Sequence, residues 1–101
     1  MKLTHKTGGD ALVVYLRGEL DHHAASGVRE EVDALWEQFR PRVLALDLRD
    51  LNFMDSSGVG VILGRYKKVR DAGGFMVIRN PGERVDRILM MSGVYRVMDR
   101  L

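Results

Sequence analysis

The chain has 101 residues, 46% of them hydrophobic and 30% charged, which allows one packed core and excludes both a second domain and wholesale disorder. Its 16 Lys and Arg against 14 Asp and Glu leave a net charge of only +2, too even a balance to point to nucleic acid. There is no cysteine for a disulfide, thiolate or zinc site, no apolar leader in Met1 to Asp10, and no apolar run near the roughly 20 residues of a membrane span. The expectation is a cytoplasmic protein, monomeric when free, with no cofactor and no metal.

The opening residues, Met1 to Thr7, alternate; Gly8-Gly9-Asp10 supplies turn chemistry; and Ala11 to Arg17 alternates again, which predicts a β-hairpin. Gly18 interrupts the second strand. Asp21 is a suitable N-cap for a helix that carries Ala25, Val28, Val32, Leu35, Trp36 and Phe39 on one face and is stopped by Pro41. Val43 to Leu48, apolar except at Asp47, reads as a third strand buried on both faces. The segment Asn52 to Gly58 is then a loop leading into a helix with Val59, Ile62, Leu63, Tyr66 and Val69 on one side, its N-cap expected at Ser56 or Ser57 and its end at Gly73-Gly74. Phe75 to Ile78 forms another strand, Asn80-Pro81-Gly82 a turn, and Val85, Ile88 and Leu89 the buried face of a short helix ending near Ser92-Gly93. Val94 to Met98 completes the chain as an edge strand. Strands alternating with helices after a hairpin predict an α/β fold: a mixed, mostly parallel sheet with helices packed against it, in one domain over 1–101.

The enzyme motifs that this sequence superficially suggests all fail on spacing. Gly58, Gly60 and Gly64 are spaced GxGxxxG, without the strand-helix unit and distant acid of a dinucleotide site. Gly60 and Gly64 share a helix face, which suits either close packing on the sheet or a partner surface. A hydrolase elbow needs glycine two residues before the nucleophile, where Met54 stands. His5, His22 and His23 form no triad or metal spacing, and no phosphate-binding lysine loop is present. A phospho-aspartate receiver built on Asp55 would need a further acid pair and a lysine on a late strand, and neither is in place.

What remains is Ser56-Ser57 at a helix start beside Asp55. Serine at a helix start is ordinary capping grammar, yet the free N–H groups and positive pole there also suit a phosphate. The run Phe53-Met54-Asp55-Ser56-Ser57-Gly58-Val59-Gly60-Val61-Ile62-Leu63-Gly64-Arg65-Tyr66-Lys67 resembles the signature of STAS-domain anti-sigma factor antagonists, closest to the sporulation branch that acts on sigma F. Gly18-Glu19-Leu20-Asp21-His22-His23 and Met91-Ser92-Gly93-Val94 are similar to two further segments of that family, so the resemblance spans nearly the whole chain.

The resemblance implies a non-enzymatic switch. A partner that is both anti-sigma factor and ATP-dependent serine kinase phosphorylates the first serine after the aspartate, here Ser56, and a PP2C-like serine phosphatase reverses it. The unphosphorylated form captures the anti-sigma factor and frees the sigma factor; the phosphorylated form lets go. The resemblance also implies a partner surface that includes Asp21, with Asp55, Ser56, Ser57, Gly58, Gly60 and Arg65 as candidate contacts; the sequence departs from the family at its tail, stopping at Leu101 where relatives continue into a further helix. Asp21 follows the second strand and Ser56 the third, so strands running the same way in one sheet would bring the two to the same end. A scaffold STAS protein of a stress-sensing assembly is the alternative within the same family.

Overall fold

The computed structural model describes residues 1–101 and contains six strands and three α-helices. The strands are β1 (Lys2–Gly8), β2 (Ala11–Leu20), β3 (Val43–Asp47), β4 (Leu51–Met54), β5 (Phe75–Arg79) and β6 (Asp99–Arg100); the helices are α1 (His22–Phe39), α2 (Ser56–Asp71) and α3 (Glu83–Met91). The main ladder runs β1-β2-β3-β5-β6, with β1 antiparallel to β2 and every other pair parallel. The hairpin and the mixed, mostly parallel sheet are therefore as expected.

Alternation along the strands decides which face is covered. Leu12, Val14, Leu16, Leu44, Leu46, Met76 and Ile78 are all buried on one face, under α1 and α2, which present Val28, Val32, Trp36, Val59, Ile62 and Val69. The opposite face is more open: Val13, Tyr15 and Val77 are half-buried and Phe75 is exposed. Asp47 is the one buried charged residue; its carboxylate accepts from the Arg49 amide at 3.0 Å and Asn80 Nδ2 at 3.0 Å, with Arg79 Nε 3.6 Å away. A buried carboxylate without such donors would be costly.

One strand and one strand end differ from expectation. Leu51–Met54 is not a loop but a strand, β4, which pairs in parallel with the far end of β2. Its four residues are too few to show alternation, and Asn52 is exposed within it. At the C-terminus, Val94–Arg96 is a single 3₁₀ turn, and only Asp99–Arg100 is strand. Gly93 at φ 82° turns the chain at the end of α3, and the Met98 amide then donates to the Val94 carbonyl, so the buried Val94 and Met98 sit one turn apart instead of alternating along a strand.

The bend that creates β4's place is at Gly18. Here φ is +112°, a conformation open to glycine and strained for other residues. Up to Tyr15, β2 pairs with β3; from Gly18 to Leu20 it pairs with β4, after a register shift between Gly18 and Glu19. One strand thus serves two parallel neighbours in succession.

The C-terminal edge is held to α3 by Asp86. Tyr95 Oη donates to its carboxylate, and Arg100 Nη1 lies 2.8 and 2.7 Å from its two oxygens. These bonds, Tyr95 first and then Arg100, hold the Asp86 carboxyl below its ordinary pKa, and burial, followed by the same contact, raises that of Tyr95. A carboxyl depressed in the folded state stabilises the fold fully above its unfolded pKa, and that contribution is lost as pH falls through the folded value. The stability difference between wild type and Asp86→Asn, measured by urea unfolding, is therefore expected to be constant above about pH 5 and to shrink below about pH 4. A difference that does not change with pH would show that Asp86 contributes only shape.

Candidate functional site

The site is built where β2 and β4 end together. Leu20 pairs with Met54, and the Asp55 amide donates to the Leu20 carbonyl at 3.4 Å, so Asp21 and Asp55 leave the sheet side by side. Each caps the helix that follows. Asp21 Oδ1 accepts from the Ala24 amide at 3.0 Å at the start of α1.

Asp55, not Ser56 or Ser57, is the N-cap of α2. Its Oδ1 accepts from the amides of Ser57 at 2.9 Å and Gly58 at 3.2 Å, and its Oδ2 accepts from the His22 amide of α1 at 3.1 Å. A carboxylate has enough lone pairs to satisfy all three donors, which one serine hydroxyl does not. The expectation of a serine cap therefore fails on acceptor capacity, and both serines lie within the first turn of the helix.

That one-residue shift matters for the hydroxyls. Ser56 is exposed, its Oγ enters no hydrogen bond within the chain, and it lines a cleft between α2 and α3. Ser57 is half-buried and lines a separate groove between α2 and α1. The two adjacent hydroxyls thus face different walls of the molecule.

The glycines divide in the same way. A Cβ on Gly58 would stand 2.6 Å from the Leu20 carbonyl oxygen and 2.7 Å from Met54 Cγ, so Gly58 is what lets α2 start against the β2–β4 pair. Gly60 and Gly64 face open space, with nothing within 4 Å of an added Cβ, and both line the groove shared with α1; close packing does not account for them. Arg65 is largely buried, with Nε 2.7 Å from Asp33 Oδ1 of α1. Burial holds its guanidinium below the ordinary pKa, opposed by Asp33 and reinforced by Arg29. It joins the two helices, which leaves little of it for an outside contact.

The sequence reading overlooked the other wall beside Ser56. The α2–α3 cleft has a volume of about 430 Å³ and is lined by Met54, Asp55, Ser56, Val59, Ile88, Met91 and Ser92. Its signal was the Met90-Met91 pair at the end of a short amphipathic helix, where both side chains remain exposed.

The STAS domain model matches residues 2–101. The chain belongs to the STAS family. This STAS domain is 42% identical over 98 residues to the anti-sigma F factor antagonist of Paenibacillus polymyxa, covering 97% of this chain and 82% of that one. It is 33% identical over 94 residues to the anti-sigma-B factor antagonist of Bacillus subtilis, covering 93% and 84%. Among solved structures, the anti-sigma factor antagonist SpoIIAA superposes in its unphosphorylated form with a TM-score of 0.83 at 30% identity, covering 99% of this chain and 88% of that one. The phosphorylated form of Bacillus SpoIIAA gives 0.75 at 29%, covering 99% and 91%. The α/β architecture of the STAS domain described above is thus shared with both states of that relative.

The close approach at Gly58 can be tested without any partner. Gly58→Ala forces α2 off the strand ends and is expected to cost about 1–3 kcal/mol, a fall in melting temperature of at least about 4 °C in a domain of this size. Gly60→Ala meets no neighbour and should be neutral or stabilising by up to about 1 kcal/mol through helix propensity. Thermal unfolding followed by circular dichroism distinguishes the two; equal losses would contradict the packing described.

Proposed function

We propose that this chain is an anti-sigma factor antagonist, that its unphosphorylated form binds an anti-sigma factor which is also a serine kinase, and that phosphorylation of Ser56 ends the interaction. The observation that carries this reading is the position of Ser56: an exposed hydroxyl with no partner in the chain, on the first turn of α2, directly after Asp55 at the shared end of two paired strands. Support also comes from the relatives, antagonists of anti-sigma factors by name, one of which has a phosphorylated form. The 42% identity to an anti-sigma F factor antagonist favours the sigma F branch.

Ser56 Oγ attacks the γ-phosphorus of the kinase's ATP, the bond to the bridging oxygen of the leaving ADP breaks, and the hydroxyl proton passes to a base of the kinase. A PP2C-like phosphatase returns the hydroxyl by hydrolysis. The antagonist itself supplies only the acceptor, so it is not an enzyme in this scheme.

The phosphate's effect on the fold is small because two influences oppose. The helix N-terminus favours a group of about −1.5 to −2 charges by roughly 0.3–1 kcal/mol, while Asp55, whose carboxylate is fixed by three amides, repels it. The binding face changes far more. A dianion next to Asp55, on the end of the molecule that Asp21 shares, leaves negative charge to be desolvated under a partner, and each 1.4 kcal/mol of that cost is about a tenfold loss of affinity.

Incubation with the anti-sigma factor kinase of the same genome and ATP, followed by peptide mass spectrometry, should place the phosphate on Ser56 alone. Ser56→Ala should accept none, and Ser57→Ala should still be modified. Phosphate transferred to Ser57 at the wild-type rate in Ser56→Ala would overturn the assignment. Amide shifts on phosphorylation are expected to stay near the first turns of α1 and α2 and the end of α3; chain-wide changes would indicate refolding instead of a local switch.

Asp21 allows a second test, because capping and recognition respond differently to its variants. Asp21→Asn keeps the capping oxygen, whereas Asp21→Ala loses it at about 1 kcal/mol. Both should weaken binding to the anti-sigma factor by calorimetric titration, and only Asp21→Ala should lower the melting temperature by a few degrees. Wild-type affinity in Asp21→Asn would reduce Asp21 to a helix cap.

A further inference from the structure

We infer that the cleft between α2 and α3 is the seat of a large apolar side chain of the kinase that modifies Ser56, so that recognition and release use the same patch of surface. The inference rests on the reading of Ser56 as the phosphoacceptor. It adds a specificity pocket, its occupant and the means by which that occupant is expelled.

The identity of the covering molecule follows from where Ser56 stands. Its side chain is part of the cleft wall. An enzyme that brings a γ-phosphate to Ser56 Oγ must set its own surface within a few ångströms of that atom, and in doing so it covers the cleft. The volume, about 430 Å³, lies toward the lower end of clefts that hold small ligands, roughly 300–1,000 Å³.

The chemistry of the occupant follows from which polar groups are already engaged. Of the three polar side chains in the wall, Asp55 accepts from the amides of Ser57, Gly58 and His22. Ser92 Oγ donates to the Ile88 carbonyl at 2.6 Å. Only the Ser56 hydroxyl is uncommitted, and that is the reacting atom. The rest of the wall is Met54, Val59, Ile88 and Met91. A polar occupant would give up its water and find few partners, whereas an apolar one gains by burial.

Met91 makes the cleft adaptable. It is 80% exposed on the last turn of α3, and an unbranched thioether can close over side chains of different shape. Phosphorylation then places a dianion on the rim of an apolar seat. Retaining the occupant would strip that phosphate of water on one side without offering a donor in return, so the kinase's own product loosens its hold.

The full-length chain with Met91→Ser tests this, beside Arg70→Ala, an exposed substitution at the far end of α2. The probe is the purified anti-sigma factor kinase of the same genome with ATP, and the readings are KM and kcat for phosphorylation, Kd by titration, and melting temperature. Met91→Ser is expected to raise KM and Kd about tenfold or more with kcat and melting temperature unchanged, since a lost anchor removes binding common to ground and transition states. Arg70→Ala should match wild type. Normal KM and Kd in Met91→Ser, with Ser56 still phosphorylated, would overturn the seat and leave the switch intact. Absence of phosphate on wild-type Ser56 would overturn the switch itself. Self-association of the wild-type chain in sedimentation, abolished by Met91→Ser while kinase affinity stays normal, would overturn the inference in favour of a second copy as the occupant.

Discussion

The carboxylate of Asp55 is the contact on which the functional end of this molecule depends. With one oxygen it closes the first turn of α2, and with the other it takes an amide from the first turn of α1. Those amides are among the donors that helices leave unsatisfied at their starts, so the bonds answer a need that the backbone creates. Because Asp55 emerges beside Asp21 from paired strands, its geometry is set by the sheet and not by a free loop. Two helix starts, two acids and the exposed hydroxyl of Ser56 are thereby held in one fixed relation.

Much of this was legible in the sequence, and the parts that were not have physical reasons. The hairpin, the buried β3 run and all three helices could be read because alternation and helical periodicity extend over enough residues to stand out. The strand at Leu51–Met54 was hidden because a four-residue element has too little pattern, and because its partner is the end of a strand already paired elsewhere. The edge at Val94–Met98 looked extended through its valines and methionine, but the left-handed Gly93 converts their spacing to a turn. At the site, the motif located Ser56 and its neighbours but not their roles. Whether serine or aspartate caps α2 depends on how many amides converge there, and one of the three comes from His22 of α1, far away in sequence.

The glycines show the same limit. All three near the site look alike as letters in a helix, yet one is pressed against strand backbone and two border open groove. Likewise Arg65, which reads as an available cation, is drawn into α1 by Asp33. Position within a motif therefore does not tell which residues hold the scaffold and which face a partner. That distinction appears only when the neighbouring elements are in place, and here it divides the two adjacent serines: Ser57 belongs to the seam between the helices, Ser56 to the surface beside α3.

The bend at Gly18 has a consequence for how the protein yields to fluctuation. β2 pairs with β1, β3 and β4, but β4 has no strand neighbour except β2, and their register takes in only the end of β2, Gly18 to Leu20. Local opening in proteins follows such inequalities, with the least tied elements parting first while the rest stays closed. Release of β4 would take with it the carboxylate that closes the first turn of α2 and its bond to the His22 amide, while the Asp21 cap of α1 and the ladder from β1 through β3 to β5 remained whole. Ser56 is therefore carried on a corner of the sheet that a single strand pairing secures, and the glycine that turns one strand away from its neighbour marks where that corner begins.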